Sequence, residues 1–113
     1  MKILVINPNI SLSVTELIRN EAQRAALPDT QITMATAPFG VAYIETPGEA
    51  AVGAYASLQL LAQQQAEHDV AVIAAFGDPG VAAAKELLDI PVVGLTESAV
   101  AAAFLLGGRF AIV

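Results

Sequence analysis

The sequence predicts an α/β fold built on a doubly wound parallel sheet, and three observations carry that prediction. Short apolar runs rich in β-branched residues alternate with longer stretches of helical period. One run, "DVAVIAA" (Asp69–Ala75), is apolar on both of its alternating faces. The turns behind the runs are rich in Pro, Gly and Asn. A strand that is apolar on both faces needs helices on both sides of the sheet, and parallel strands bring those helices as their crossovers.

Taken in order, Lys2–Ile6 reads as a buried strand closed by "NPN" (Asn7–Asn9), where Pro8 and two Asn favour a turn. Ser11 or Ser13 can cap the next helix, Val14–Leu27. Its Val14, Leu17, Ile18, Ala22 and Ala25 share one face, and Pro28-Asp29 ends it. Gln31–Thr36 is a second strand. The loop "APFGVAYIETPGE" (37–49) is longer than a connector needs to be and makes a candidate site wall. Pro47–Gln65 is the clearest helix, with Ala51, Ala54, Tyr55, Leu58, Leu61 and Ala62 as its apolar stripe. After the Asp69–Ala75 strand, Pro79 suits the first turn of a helix over Gly80–Leu88, with Asp78 at or near its cap. Val92–Gly94 forms a short strand, Thr96 or Ser98 starts another helix, and Arg109–Val113 begins a fifth strand. With right-handed crossovers this βαβαβαβαβ order is flavodoxin-like.

Composition narrows the function. A length of 113 residues bounds the chain to one domain with a modest core, and 56% hydrophobic against 14% charged residues is the balance of a packed fold. Net charge −6, five scattered basic residues and only 5% aromatics without Trp leave neither a phosphate-tracking stripe nor a stacking platform, which argues against nucleic acid. No run approaches the ~18 apolar residues of a membrane span, and Ile3–Ile6 is too short for the core of an export signal. The expected location is the cytoplasm, with no membrane partner. Without Cys there is neither a disulfide nor a thiolate metal site. His68, between Glu67 and Asp69, lacks a second His at ligand spacing and reads as an exposed residue at a helix end, so no metal is expected. "NPNIS" offers neither GxGxxG nor a P-loop Lys.

In doubly wound sheets ligands bind outside the carboxyl ends of the strands. Three polar turns converge there: Asn7–Ser11, Phe76–Asp78 and Thr96–Glu97. Singly, Ser11, Asp78 and Thr96 read equally as caps or ordinary turn residues, and it is their common rim that points to a site. The closing "GRFAIV" reads as an apolar strand without its turn, as expected of the first half of a longer protein.

The ordered set "KILVINPNISLSVTE", "IE" in the long loop, "IAAFGDPG", "DIPVVGLTESA" and "RFAIV" resembles the hydantoin and allantoin racemases of the aspartate/glutamate racemase superfamily, across essentially all 113 residues. The resemblance implies a cofactor-independent racemase whose subunit has two similar α/β domains and a cleft between them. Residues 1–113 would be the N-terminal domain, the substrate a hydantoin or ureide, and the assembly a homo-oligomer. Racemisation removes a proton from a carbon beside a carbonyl and returns one to the opposite face, so two acid/base groups must flank the substrate. Cysteine suits this because its pKa, ordinarily ~8.5, can be drawn toward neutrality.

In the resembled family the first such Cys directly precedes "FGD", and the matching position here is Ala75. A methyl group carries no proton. Two origins stay open, a deliberate Cys→Ala replacement or a natural relative that lost racemisation and kept binding or another chemistry. Position by position, the resemblance implies that Asn7, Asn9 and Ser11 meet the polar edge of the substrate ring. The N–H groups of Phe76, Gly77 and Asp78 would stabilise an enolate oxygen, with Gly77 permitting close approach. Ile44 would touch the 5-substituent, Glu45 reads as structural, and Thr96 would bond substrate or cap its helix. Two other readings remain: a flavodoxin-like small-molecule-binding module needing no second half, and a relative of the maleate isomerases or decarboxylases.

Overall fold

In the computed structural model, which describes residues 1–113, four parallel strands form one sheet in the order β2-β1-β3-β4. The strands are β1 (Lys2–Asn7), β2 (Gln31–Thr36), β3 (Val70–Ile73) and β4 (Val92–Gly94). The helices are α1 (Leu12–Ala25), α2 (Pro47–Gln64), α3 (Val81–Leu87) and α4 (Leu95–Leu106). β1 is central: Ile3 is in register with Ile32 on one side and with Val70 on the other.

Alternation along the strands sorts the two faces. Leu4 and Ile6 of β1, Ala71 and Ile73 of β3, Val92 of β4 and Ala35 of β2 form a core with Leu61 of α2 and with Val81 and Ala84 of α3. Leu4, Ile6, Leu61 and Ile73 are fully buried; each such side chain contributes about 1.5–3 kcal/mol relative to exposure. The odd-numbered β1 residues Ile3 and Val5, with Ile32, Val72 and Ala74, face α1 and line an open apolar groove of 580 Å³. Helices thus cover both faces, as the apolar run at β3 requires.

The caps explain the helix starts. Ser11 Oγ accepts from Val14 N, and Thr46 and Glu49 form a reciprocal capping box ahead of Pro47. The carboxylate of Glu49 accepts from the N–H groups of Glu45 and Thr46, which holds its pKa below the usual glutamate value. Gly80 takes φ +85°, and a Cβ there would lie 3.1–3.2 Å from Ala54. That contact lets the turn after β3 lie directly against α2.

Three expectations are corrected. Arg109–Val113 forms no strand: no neighbouring strand pairs with it, and Phe110 packs edge-on against Phe104 of α4 with ring centroids 5.2 Å apart. The last helix begins at Leu95, directly after β4, so Gly94 is both the last strand residue and the N-cap. His68 is half-buried, with Nδ1 2.8 Å from the Gln64 carbonyl oxygen, because it closes a single 3₁₀ turn over Gln65–Glu67. No helix is long and apolar enough to cross a membrane.

Candidate active site

The strand order reverses direction between β1 and β3, since β1 leads outward to β2 while β3 and β4 follow on its other side. The crevice of an open α/β sheet lies at such a point, outside the carboxyl ends. The segments emerging there are Pro8–Ser11 after β1 and Ala74–Gly80 after β3, and Ala74 N still donates to the Ile6 carbonyl at 2.9 Å. Ala75 is the next residue, half-buried at the start of the second of these turns.

The β1 turn is a polarised amide network. Asn7 is fully buried, and its Oδ1 accepts from Asn9 N at 3.1 Å. Its Nδ2 faces Asn9 Oδ1 at 2.9 Å, the Ser11 carbonyl at 3.1 Å and Thr15 Oγ1 at 3.0 Å. Asn9 Oδ1 also accepts from Ser11 N at 2.9 Å. Backbone groups therefore fix both amides: Asn7 is consumed within the chain, whereas Asn9 has its oxygen engaged and its Nδ2 free to donate outward. Ser11 Oγ is engaged by Val14 N and Ser13 Oγ.

The loop after β2 is tied to this turn by Ile10 N donating to the Val41 carbonyl at 3.0 Å. A Cβ on Gly53 would meet Ile44 Cδ1 at 2.9 Å and the Pro8 carbonyl oxygen at 3.0 Å. Ile44 thus lies over α2 beside the β1 turn.

The turn after β3 is joined to the start of α4. Thr96 Oγ1 accepts from Gly77 N at 2.6 Å, and Asp78 N donates to the Ala75 carbonyl at 3.2 Å. Of the three N–H groups that the resemblance assigns to an enolate oxygen, Gly77 and Asp78 have partners in the chain, and Phe76 N–H has none among its hydrogen bonds. The carboxylate of Asp78 accepts from Thr96 N and Glu97 N, each at 2.8 Å, so it caps α4 rather than α3. The Phe76 side chain is exposed at the rim. Lys85 donates to Glu97 at 2.7 Å, and with the Gly94 N–H it holds the Glu97 carboxyl below the ordinary glutamate range.

Sequence reasoning missed Thr15 and Gly94, and it placed Glu97 at the rim without its capping role. Thr15 is buried and joins Asn7 to Thr36 Oγ1, 2.7 Å away; a Thr inside an apolar helical stripe was its only signal. For the other two the spacing Gly94-x-x-Glu97 resembles half a capping box, a legible but weak mark.

The family model described as Asp/Glu/Hydantoin racemase matches residues 3–113. The hydantoin racemase of Pseudomonas sp. (strain NS671) is 41% identical over 114 residues, covering 100% of this chain and 46% of that protein. The hydantoin racemase of Paenarthrobacter aurescens is 38% identical over 115 residues, covering 100% and 49%. Among solved structures, an allantoin racemase from Klebsiella pneumoniae superposes with TM-score 0.88 at 40% identity, over 93% of this chain and 43% of that one. The allantoin racemase from Pseudomonas fluorescens gives TM-score 0.93 at 34% identity, over 97% and 47%. The chain spans about half the length of the relatives it matches. It belongs to the Asp/Glu/hydantoin racemase family.

Proposed function

We propose that these residues form the N-terminal of two similar domains in a cofactor-independent racemase of 5-substituted hydantoins or allantoin, and that Ala75 leaves it unable to racemise. The observation that carries the reading is the place of Ala75. It follows β3 at the strand-order reversal and opens the turn that α4 grips through Gly77. A thiol there would face a bound ring across the crevice, and its counterpart would come from the second domain. One base takes the proton, the other returns one to the opposite face, and N–H donors stabilise the enolate oxygen between the two steps.

In this reading Asn9 Nδ2 meets a ring carbonyl and Asn7 supports Asn9 from below. Phe76 N–H is the free donor, Ser11 fixes the start of α1, and Ile44 packs against the 5-substituent. Gly77 and Thr96 shape the turn; Thr96 Oγ1, already accepting from Gly77, keeps its own proton for the substrate. Homo-oligomeric assembly belongs to this reading through the family resemblance, and a cytoplasmic location through the lack of an export-type segment in residues 1–113. The test uses the protein carrying both halves and an enantiopure 5-substituted hydantoin followed by polarimetry. Optical rotation is expected to stay constant with Ala75 and to decay after Ala75→Cys. Constant rotation with the Cys form overturns the racemase reading. Ala75 itself favours one second reading, a binding protein without turnover, for which saturable substrate binding would accompany that constant rotation.

A further inference from the structure

We infer that Asp78 is a positioning residue, which locks the turn bearing Ala75 onto the first turn of α4 by completing that helix's capping box from another segment. The inference rests on the proposed reading only in taking position 75 as the seat of a reacting thiol. Its starting point is a gap in α4. A capping box needs an N-cap side chain that accepts from the N3 N–H, while the N3 Glu reaches back to the N-cap N–H. Glu97 does the second, its Oε1 accepting from Gly94 N at 2.9 Å. Gly94 has no side chain for the first, and Asp78 Oδ2 accepts from Glu97 N in its place, with Oδ1 accepting from Thr96 N.

The seat for that carboxylate is built. A Cβ on Gly94 would lie 2.6 Å from both Asp78 oxygens, so any side chain at 94 expels it. The reach demands an uncommon backbone: Asp78 has φ +52°, the one positive φ outside Gly in the chain, in a region that Asp tolerates better than most residues. Thr96 closes the circuit by accepting from Gly77 N at 2.6 Å. The peptide between Ala75 and Asp78 is therefore held at both its Gly77 N–H and the Asp78 side chain, and α4 is the fixed point for both. Asp78 acts on the chemistry by fixing where residue 75 points, with both its oxygens already engaged by α4.

The test uses the protein with both halves carrying Ala75→Cys, and alkylation is read on the peptide bearing residue 75, the only thiol within residues 1–113. Amide exchange is read at Gly77, Thr96 and Glu97, and alkylation of the introduced thiol by iodoacetamide is followed against pH. Adding Asp78→Ala is expected to speed exchange at Thr96 and Glu97 at least tenfold and at Gly77 with them. It should also raise the plateau alkylation rate several-fold and move the pH of half-maximal alkylation by about half a unit. Gly94→Ala should reproduce the loss of protection, because its methyl group takes the carboxylate's seat, and combining it with Asp78→Ala should add little. Asp78→Asn, which keeps the side-chain length and one acceptor, should restore part of the protection. Lost protection at Thr96 and Glu97 with Gly77 and the alkylation profile unmoved would mean that Asp78 merely caps α4, and it overturns the inference. Unchanged exchange at Thr96 and Glu97 does so too. Racemisation is not read in this experiment, so a failure of the racemase reading leaves its outcome distinct.

Discussion

Replacing Asn7 separates support from substrate binding, because its side chain is sealed beneath the turn it organises. Asn7→Ala removes the acceptor for Asn9 N–H and two donor protons spread over Asn9 Oδ1, the Ser11 carbonyl and Thr15 Oγ1. Ser11 O and Thr15 Oγ1 keep other partners, since Thr15 N still bonds the carbonyl and Thr36 Oγ1 still faces the hydroxyl. Asn9 N–H does not. At about 1 kcal/mol for each of three effective bonds the loss is ~3 kcal/mol. For a chain of 113 residues, the usual unfolding entropy per residue converts this to a fall in Tm of about 12 °C. Thermal and urea unfolding monitored by circular dichroism measure both. Asn7→Asp sharpens the result: it keeps the size but turns an oxygen toward the Ser11 carbonyl and Asn9 Oδ1, so it should be at least as destabilising. A Tm within about 3 °C of the parent for Asn7→Ala, with loss confined to ligand affinity, would refute this reasoning.

Further outcomes follow from the same geometry. Asn9→Asp keeps the oxygen that Ser11 N and Asn7 use but exchanges the free Nδ2 for an acceptor. In the protein with both halves it should leave Tm near the parent and weaken hydantoin binding on the order of tenfold, measured by calorimetric titration. The lowered pKa of Glu97 means that its ionised form is favoured by folding, through Lys85 first and the Gly94 N–H second. Its contribution is complete above the ordinary value of 4.5 and is lost as pH falls through the lower folded value. Glu97→Gln should therefore flatten the acid limb of a Tm-against-pH curve below about pH 4.5 and lower Tm at neutral pH; an unchanged acid limb would remove Glu97 from that linkage.

Much of the fold was legible because it is written in local pattern. Gln31–Thr36 and Val92–Gly94 match their predicted bounds, and Pro47 marks the start of α2 as its position in a capping box requires. Arg109–Val113 shows the limit of such pattern. Its residues suit a strand, but a strand exists only where an edge accepts it, and pairing is not local information. The same holds at the site. That Asn, Ser, Asp and Thr gather at one rim could be read from the element order, whereas which of their atoms are already used could not. Asp78 stands next to Pro79 and reads as a cap for α3; its left-handed backbone turns it instead toward Thr96, 18 residues onward. Asn7 and Asn9 look alike in sequence and differ in burial, because only Asn7 lies within the last residue of β1.

The central place of β1 also governs how the molecule comes into being. Both edges of the first strand are filled by later segments, β2 from Gln31 onward and β3 from Val70 onward. During synthesis from the amino end, Leu4 and Ile6 must wait for Ile73 to emerge before the sheet around them can close. Pairing across so much intervening chain carries the entropy of a long loop closure, so assembly is expected to be slower than that of a helical bundle of the same size. Until β3 docks, β1 presents an open hydrophobic edge, which makes the nascent chain, rather than the finished fold, the form most exposed to aggregation.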